Sequence, residues 1–139
     1  MNPRYLLDTN IVSEPLRPAP NQKLLGRLRR HQVDVAIASV VWHELLVGCY
    51  RLPASAKRAA IERYLFQVIA PSMSILPYDT PAAQWHAAER ARLTMIGKTP
   101  SFADGQIVAI ARTNDLILVT LNLADYAAFQ GVQIEDWRK

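Results

Sequence analysis

The run "LILVT", Leu116 to Thr120, has no polar residue on either face before its final threonine. A strand with one solvated face alternates apolar and polar residues, so a continuous run predicts a strand covered on both sides. "VDVAIAS", Val33 to Ser39, and the segment Arg4 to Leu7 of "RYLLDTN" read the same way. "MSILPYD" and "GVQIED" add two further strands. Helical patterns lie between them. "NIVSEPLRPAP" is a short turn broken by Pro15, Pro18 and Pro20. Gln22 to His31 is a basic amphipathic helix, followed by "VVWHELLVGCYRL" with Ser39 as cap and by Ser55 to Ala70. Thr80 caps a helix that starts with Pro81, runs to Ile96 and stops at Gly97. Ser101 opens "SFADGQIVAIARTND", and "NLADYAAF" is a short helix. Strands alternating with helices predict a parallel sheet between helical layers. The expected class is α/β, a three-layer α/β/α sandwich with a central, mainly parallel sheet, forming a single domain over residues 1–139.

Composition narrows the possibilities. Half of the 139 residues are hydrophobic, enough for a real core. No apolar run reaches the roughly 18–20 residues of a membrane span, and residues 1–10 lack the apolar stretch of a signal peptide. Cys49 is the only cysteine, which excludes an internal disulfide and argues against a structural zinc site. A cytoplasmic protein without a membrane partner is expected. The net charge of +4 permits a polyanionic partner without requiring one.

In an open parallel sheet, ligands bind outside the carboxyl ends of the strands. That rule sorts the twelve acids. Asp8 directly follows the first strand. Glu44 lies in the first turns of the helix leaving the second. Asp104 lies in the first turn of a helix that leads down to "LILVT" and is antiparallel to it, so Asp104 is at the carboxyl side. Asn122 and Asp125 follow that strand. Asp34 and Asp115 precede strands and belong to the opposite edge. Asp79, Glu135 and Asp136 follow strands nearer the sheet margins. Asp8, Glu44, Asp104 and Asp125 therefore share an edge. Clustered carboxylates repel and call for a compensating cation. Oxygen donors in an open site suit Mg²⁺, with Mn²⁺ as the substitute. Such an ion supports phosphodiester hydrolysis.

"LLDTNIVSEPL", "SVVWHELLVG", "SFADGQIVAIA" and "LILVTLNLADY", in this order, resemble a PIN-domain ribonuclease. Among these the chain is similar to the VapC-type toxins of bacterial toxin–antitoxin pairs, particularly the FitB-like members. The likeness runs from Tyr5 to Trp137. It implies a Mg²⁺-dependent endoribonuclease that cuts structured RNA and leaves a 5′-phosphate and a 3′-hydroxyl. It also implies a homodimer silenced by a cognate antitoxin that carries DNA binding for the pair. The resemblance puts the family's first three acids at Asp8, Glu44 and Asp104, as metal ligands. Many PIN domains have a fourth aspartate where Asn122 stands, and Asp125 is the carboxylate that follows. Thr9, Asn10, Thr120 and Asn122 would orient carboxylates or waters. Arg17, beside the first acidic motif, is the candidate for RNA or partner contact.

Each residue also has a plain structural role available. Asp8 suits a helix cap, Glu44 and Asp125 suit solvated helix faces, and Asp104 suits the first turn under Ser101. His43 is a helix neighbour of Glu44 and, at about 100° per residue, is expected to face elsewhere. Trp42, Trp85 and Trp137 are expected in the core or an interface. Three rivals remain. A phospho-accepting receiver needs an acidic pair after the first strand and a late lysine, and "LLDTN" and "VTLN" supply neither. An aspartate-nucleophile phosphatase needs an Asp where Asn10 stands. The third is a catalytically impaired PIN scaffold that binds RNA or a protein partner, and Asn122 keeps it open.

Overall fold

The computed structural model describes residues 3–139. Five strands form one sheet in the order β3-β2-β1-β4-β5, and every adjacent pair is parallel. They are β1 (Tyr5–Leu7), β2 (Val35–Ala38), β3 (Ser74–Leu76), β4 (Ile117–Val119) and β5 (Ile134–Glu135). Helices flank the sheet, so the expected α/β class holds. The strands are shorter than the apolar runs suggested, because the ladder stops where the chain turns into the next helix.

β1 and β2 are buried throughout and β4 is buried except at Ile117, while β3 and β5 at the margins are partly exposed. Leu6, Leu7, Ile37, Leu118 and Val119 are fully buried. Burial of each such aliphatic side chain stabilises the fold by about 1.5–3 kcal/mol. The register sets Leu7 beside Val119. Asp8 continues that ladder by donating its N–H to the Val119 carbonyl at 2.9 Å. The end of β1 is thereby fixed against the end of β4.

The helices are α1 (Thr9–Val12), α2 (Gln22–Arg30), α3 (Ser39–Tyr50), α4 (Ala56–Arg63), α5 (Ala70–Ser72), α6 (Thr80–Met95), α7 (Phe102–Thr113) and α8 (Leu123–Tyr126). A 3₁₀ turn spans Glu14–Leu16. The helix expected over residues 55–70 is capped by Ser55 as anticipated, but it changes to a π-helical stretch at Tyr64–Ile69. Two expected caps move. Ser39 is already helical, and Ala38 precedes it without a side-chain bond. Asp79 rather than Thr80 caps α6, accepting the Ala82 N–H at 3.1 Å. At α6 two adjacent polar residues compete for one position, whereas at α3 the helix begins directly after the last ladder residue, Ala38. Gly97 ends α6 at φ +77°, with Lys98 N–H returning to the Leu93 carbonyl.

Asp34 and Asp115 lie at the amino edge. Asp34 precedes β2 and its carbonyl accepts from Arg4 and Tyr5. Asp115 sits past α7 at φ 56°, the left-handed position of a helix end. No helix among the described residues is long and apolar enough to cross a membrane.

Candidate active site

Asp8 is almost fully buried at 6% exposure. Its Oδ1 accepts the Thr9 N–H at 2.8 Å. Its Oδ2 accepts the Thr120 hydroxyl at 2.8 Å and faces the Tyr126 hydroxyl at 3.1 Å. A carboxylate has about four lone-pair positions. Three are engaged, so Asp8 is held rigidly and keeps one direction for another partner. It also starts α1, so the capping role and the site role coincide in one residue.

Glu44 comes from the second turn of α3 and accepts the Thr9 hydroxyl at 3.1 Å. Thr9 thus serves both acids, through its N–H and its hydroxyl. Burial raises the Glu44 carboxyl above its usual pKa, and the negative charges of Asp8 and Asp104 push it the same way. The Thr9 hydroxyl and His43 pull it down. His43 and Glu44 border a shallow depression of about 300 Å³ that none of Asp8, Asp104 and Asp125 lines.

Asp104 lies in the first turn of α7, where Ser101 caps the helix by accepting the Asp104 N–H at 3.1 Å. Its own carboxyl is raised, first by burial and then by Asp8 and Asp125, while the Ser101 and Tyr126 hydroxyls lower it. Asp125 is exposed and lines a cleft of about 630 Å³ with Asp104, Ser101 and Lys98. The fold therefore brings Asp8, Glu44, Asp104 and Asp125 to one end of the sheet. A different concavity, about 860 Å³ and lined by apolar residues such as Val12, Leu28, Val68 and Met73, holds none of these acids.

The supporting polar residues divide. Asn10 Oδ1 accepts the Leu121 N–H at 3.3 Å and ties the loop after β4 to α1. Asn122 acts through its backbone, donating its N–H to the Thr120 hydroxyl oxygen at 3.0 Å, and its side chain is exposed. Arg17 pairs with Glu14 at 3.2 Å, although its own side chain stays exposed. Trp42 packs edge-on against Phe66 at 5.5 Å, and Trp137 is buried against Tyr5 and His31.

Two residues escaped the sequence reading. Tyr126 is 1% exposed, and its hydroxyl stands between Asp8 and Asp104. Its only signal in the sequence is a place directly after Asp125. Gly105, next to Asp104, has His86 packed where a side chain would go. A Cβ there would lie 2.0 Å from His86 Nε2. The His86 ring cannot easily yield, because it is buried, bonded through Nδ1 to the Tyr78 hydroxyl at 2.8 Å and stacked near Phe102. This glycine lets α6 and α7 approach at the level of the acids.

Among the described residues, no three His, Cys, Asp or Glu side chains stand close enough to hold one ion as they are placed. The chemistry of the donors nevertheless fits a hard divalent cation. Every candidate donor is a carboxylate oxygen, and none of the four acids is in an ion pair with a basic residue of the described chain. Asp8 is enclosed, whereas Glu44 is solvent-facing and Asp104 is partly exposed.

An all-parallel sheet with acids gathered past β1, on α3 and on α7 is the arrangement of a PIN domain, and the PIN domain family matches residues 5–127. The chain is 33% identical to Toxin FitB of Neisseria gonorrhoeae, over 95% of this chain and 97% of that protein. It is 29% identical to the tRNA(fMet)-specific endonuclease VapC of Shigella flexneri, over 96% and 98% of the two chains. The solved structure of FitAB bound to an IR36 DNA fragment superposes with a TM-score of 0.89 at 30% identity, covering 97% of this chain and 96% of that one. The chain belongs to the PIN-domain family, among its VapC-type toxins. The family expected from the four motifs is the family found. PIN nucleases are typically metal-dependent.

Proposed function

We propose that this chain is an endoribonuclease toxin that hydrolyses phosphodiester bonds of structured RNA through Asp8, Glu44 and Asp104, with Asp125 completing the site. The observation that carries this reading is the meeting of four carboxylates at one sheet edge, none of them in an ion pair among the described residues, with burial and then the neighbouring acids raising Glu44 and Asp104. Mg²⁺ or Mn²⁺, when bound, would supply charge neutralisation at the phosphate and lower the pKa of water.

The chain's own residues define the remaining roles. Thr9, Thr120 and Tyr126 orient Asp8, and Thr9 also orients Glu44. Asn10 and the Asn122 N–H hold the loop after β4 in place. Asp125 borders the open cleft beside Asp104, where an RNA strand has room to lie, and Lys98 at its rim is suited to a phosphate. Water attacks phosphorus and the bond to the 3′-oxygen breaks, which leaves a 5′-phosphate and a 3′-hydroxyl. Arg17 remains a candidate for RNA or partner contact because its exposed guanidinium reaches solvent beyond Glu14.

The likeness to FitAB bound to DNA supports a cognate antitoxin that silences the toxin and supplies the DNA contact. A homodimer and a cytoplasmic location belong to the same reading. The test is cleavage of RNA by the purified protein with Mg²⁺, with EDTA, and after Asp8→Asn. Cleavage that needs Mg²⁺ and vanishes in the variant is expected. Equal cleavage by Asp8→Asn would remove Asp8 from the site.

A further inference from the structure

Tyr126 ends α8 with its ring packed near Phe129, at 6.3 Å between centroids. The chain just beyond it is clamped from α6. Glu89 accepts the Gln130 N–H at 2.7 Å, and Arg92 donates to the Ala128 carbonyl at 3.0 Å. The phenol is therefore delivered to a fixed place. Its oxygen stands 3.1 Å from Asp8 Oδ2 and 3.2 Å from Asp104 Oδ1.

A phenol has one proton, so it cannot make two full hydrogen bonds to two carboxylates. Both separations exceed the 2.7–2.8 Å or so usual for O–H···O bonds, which is the mark of a shared donor. Asp8 does not depend on this bond, because Thr9 and Thr120 already donate to it at 2.8 Å each. Asp104 differs, since its Oδ1 faces the Tyr126 hydroxyl across the site. A phenylalanine would fill the same ring volume. The hydroxyl adds one thing to the packing: a bridge between an acid at the end of β1 and an acid on α7.

We propose that the Tyr126 hydroxyl is a positioning group for divalent-cation capture, tying Asp104 to Asp8 against their mutual repulsion before a cation arrives. The inference rests on the reading of these acids as cation ligands. Without the bridge, Asp104 is held by nothing on the Asp8 side, and the binding free energy of a cation must include the cost of drawing it in. Groups that orient ligands in this way typically contribute about 10–100-fold to metal affinity.

Calorimetric titration with Mn²⁺ of the wild-type protein and of Tyr126→Phe tests this, with circular dichroism and thermal melting as the check on folding. Mn²⁺ binding by the wild type, and binding at least about 10-fold weaker by folded Tyr126→Phe, is the expected result. Equal affinities would overturn the positioning role and leave the cation reading standing. No Mn²⁺ uptake by the wild type would overturn the cation reading, and this inference with it. Should Tyr126→Phe fail to fold, the wild type labelled with ¹³C at the tyrosine ζ carbons gives the second measurement. Saturation with Mg²⁺ is expected to shift one of the five tyrosine resonances. Five unmoved resonances would overturn the proposal.

Discussion

Glu89 on α6 and Asp104 on α7 are carboxylates on two helices packed together, and their surroundings push them in opposite directions. Glu89 is 8% exposed, yet its pKa is lowered, because Arg92 donates to it at 2.7 and 2.9 Å and the Gln130 N–H adds a third bond. Asp104 is less enclosed, yet its pKa is raised, since burial and two neighbouring acids outweigh two hydroxyls. Glu14 and Asp136 behave like Glu89. The Asn21 N–H and Arg17 lower Glu14, and Arg138 lowers Asp136. Glu44 behaves like Asp104. Among the described residues, arginines pair with Glu14, Glu89 and Asp136, and none pairs with Asp8, Glu44, Asp104 or Asp125. Burial alone does not set the direction in which a carboxylate shifts; the identity of its partners does.

Asp104→Asn gives the largest contrast. RNA cleavage is expected to fall by at least about 100-fold, the upper range for groups that merely orient a ligand. The thermal midpoint without added metal should rise, because a repelled charge is gone. A lower midpoint would break the comparison. Glu89→Ala should do the reverse to stability. It strands Arg92 and the Gln130 N–H, with an expected loss of about 2 kcal/mol in urea denaturation.

The smallest expected effect lies in the pH dependence. Glu89, with its lowered pKa, contributes stability above its unfolded value, and that contribution is lost as pH falls through the folded value. Asp104 has the opposite sign. Its folded form binds a proton more readily than the unfolded chain, so its penalty grows as pH rises through the window between the two values. The stability deficit of Glu89→Gln should therefore shrink on acidification, and so should the stability gain of Asp104→Asn. Denaturation curves at a series of pH values between roughly 3 and 7 measure both. A pH-independent difference for either variant would show that the charge is not the cause.

Much of the fold could be read from runs such as "LILVT", because a strand covered on both faces has few other ways to be built. The strand-end rule then located Asp8, Glu44 and Asp104 on one edge, since it depends only on chain direction. Other features depend on contacts between distant segments and leave no local trace. Tyr126 reads as an ordinary core aromatic until Asp8 and Asp104 are placed around it. The Glu89–Arg92 pair has the spacing of a helix neighbour, but the Gln130 N–H that completes it lies 41 residues away. Ser39 and Thr80 looked like caps because each is a polar residue at a helix entry, but the last extended residue is Ala38 in one case and Asp79 in the other. The π-helical stretch at Tyr64–Ile69 has no distinct periodicity in so short a window.

The partners of Asp8 lie far downstream, Thr120 at a separation of 112 residues and Tyr126 at 118. β1 also takes its place between β2 and β4, so neither side of the first acid is complete while the chain is still short. Contacts of such long range form late in folding, after the intervening loops have been closed. During synthesis the first acid leaves the ribosome long before the residues that orient it. A ribosome making this toxin therefore handles a chain with an unsupported first acid until more than 110 further residues have been added.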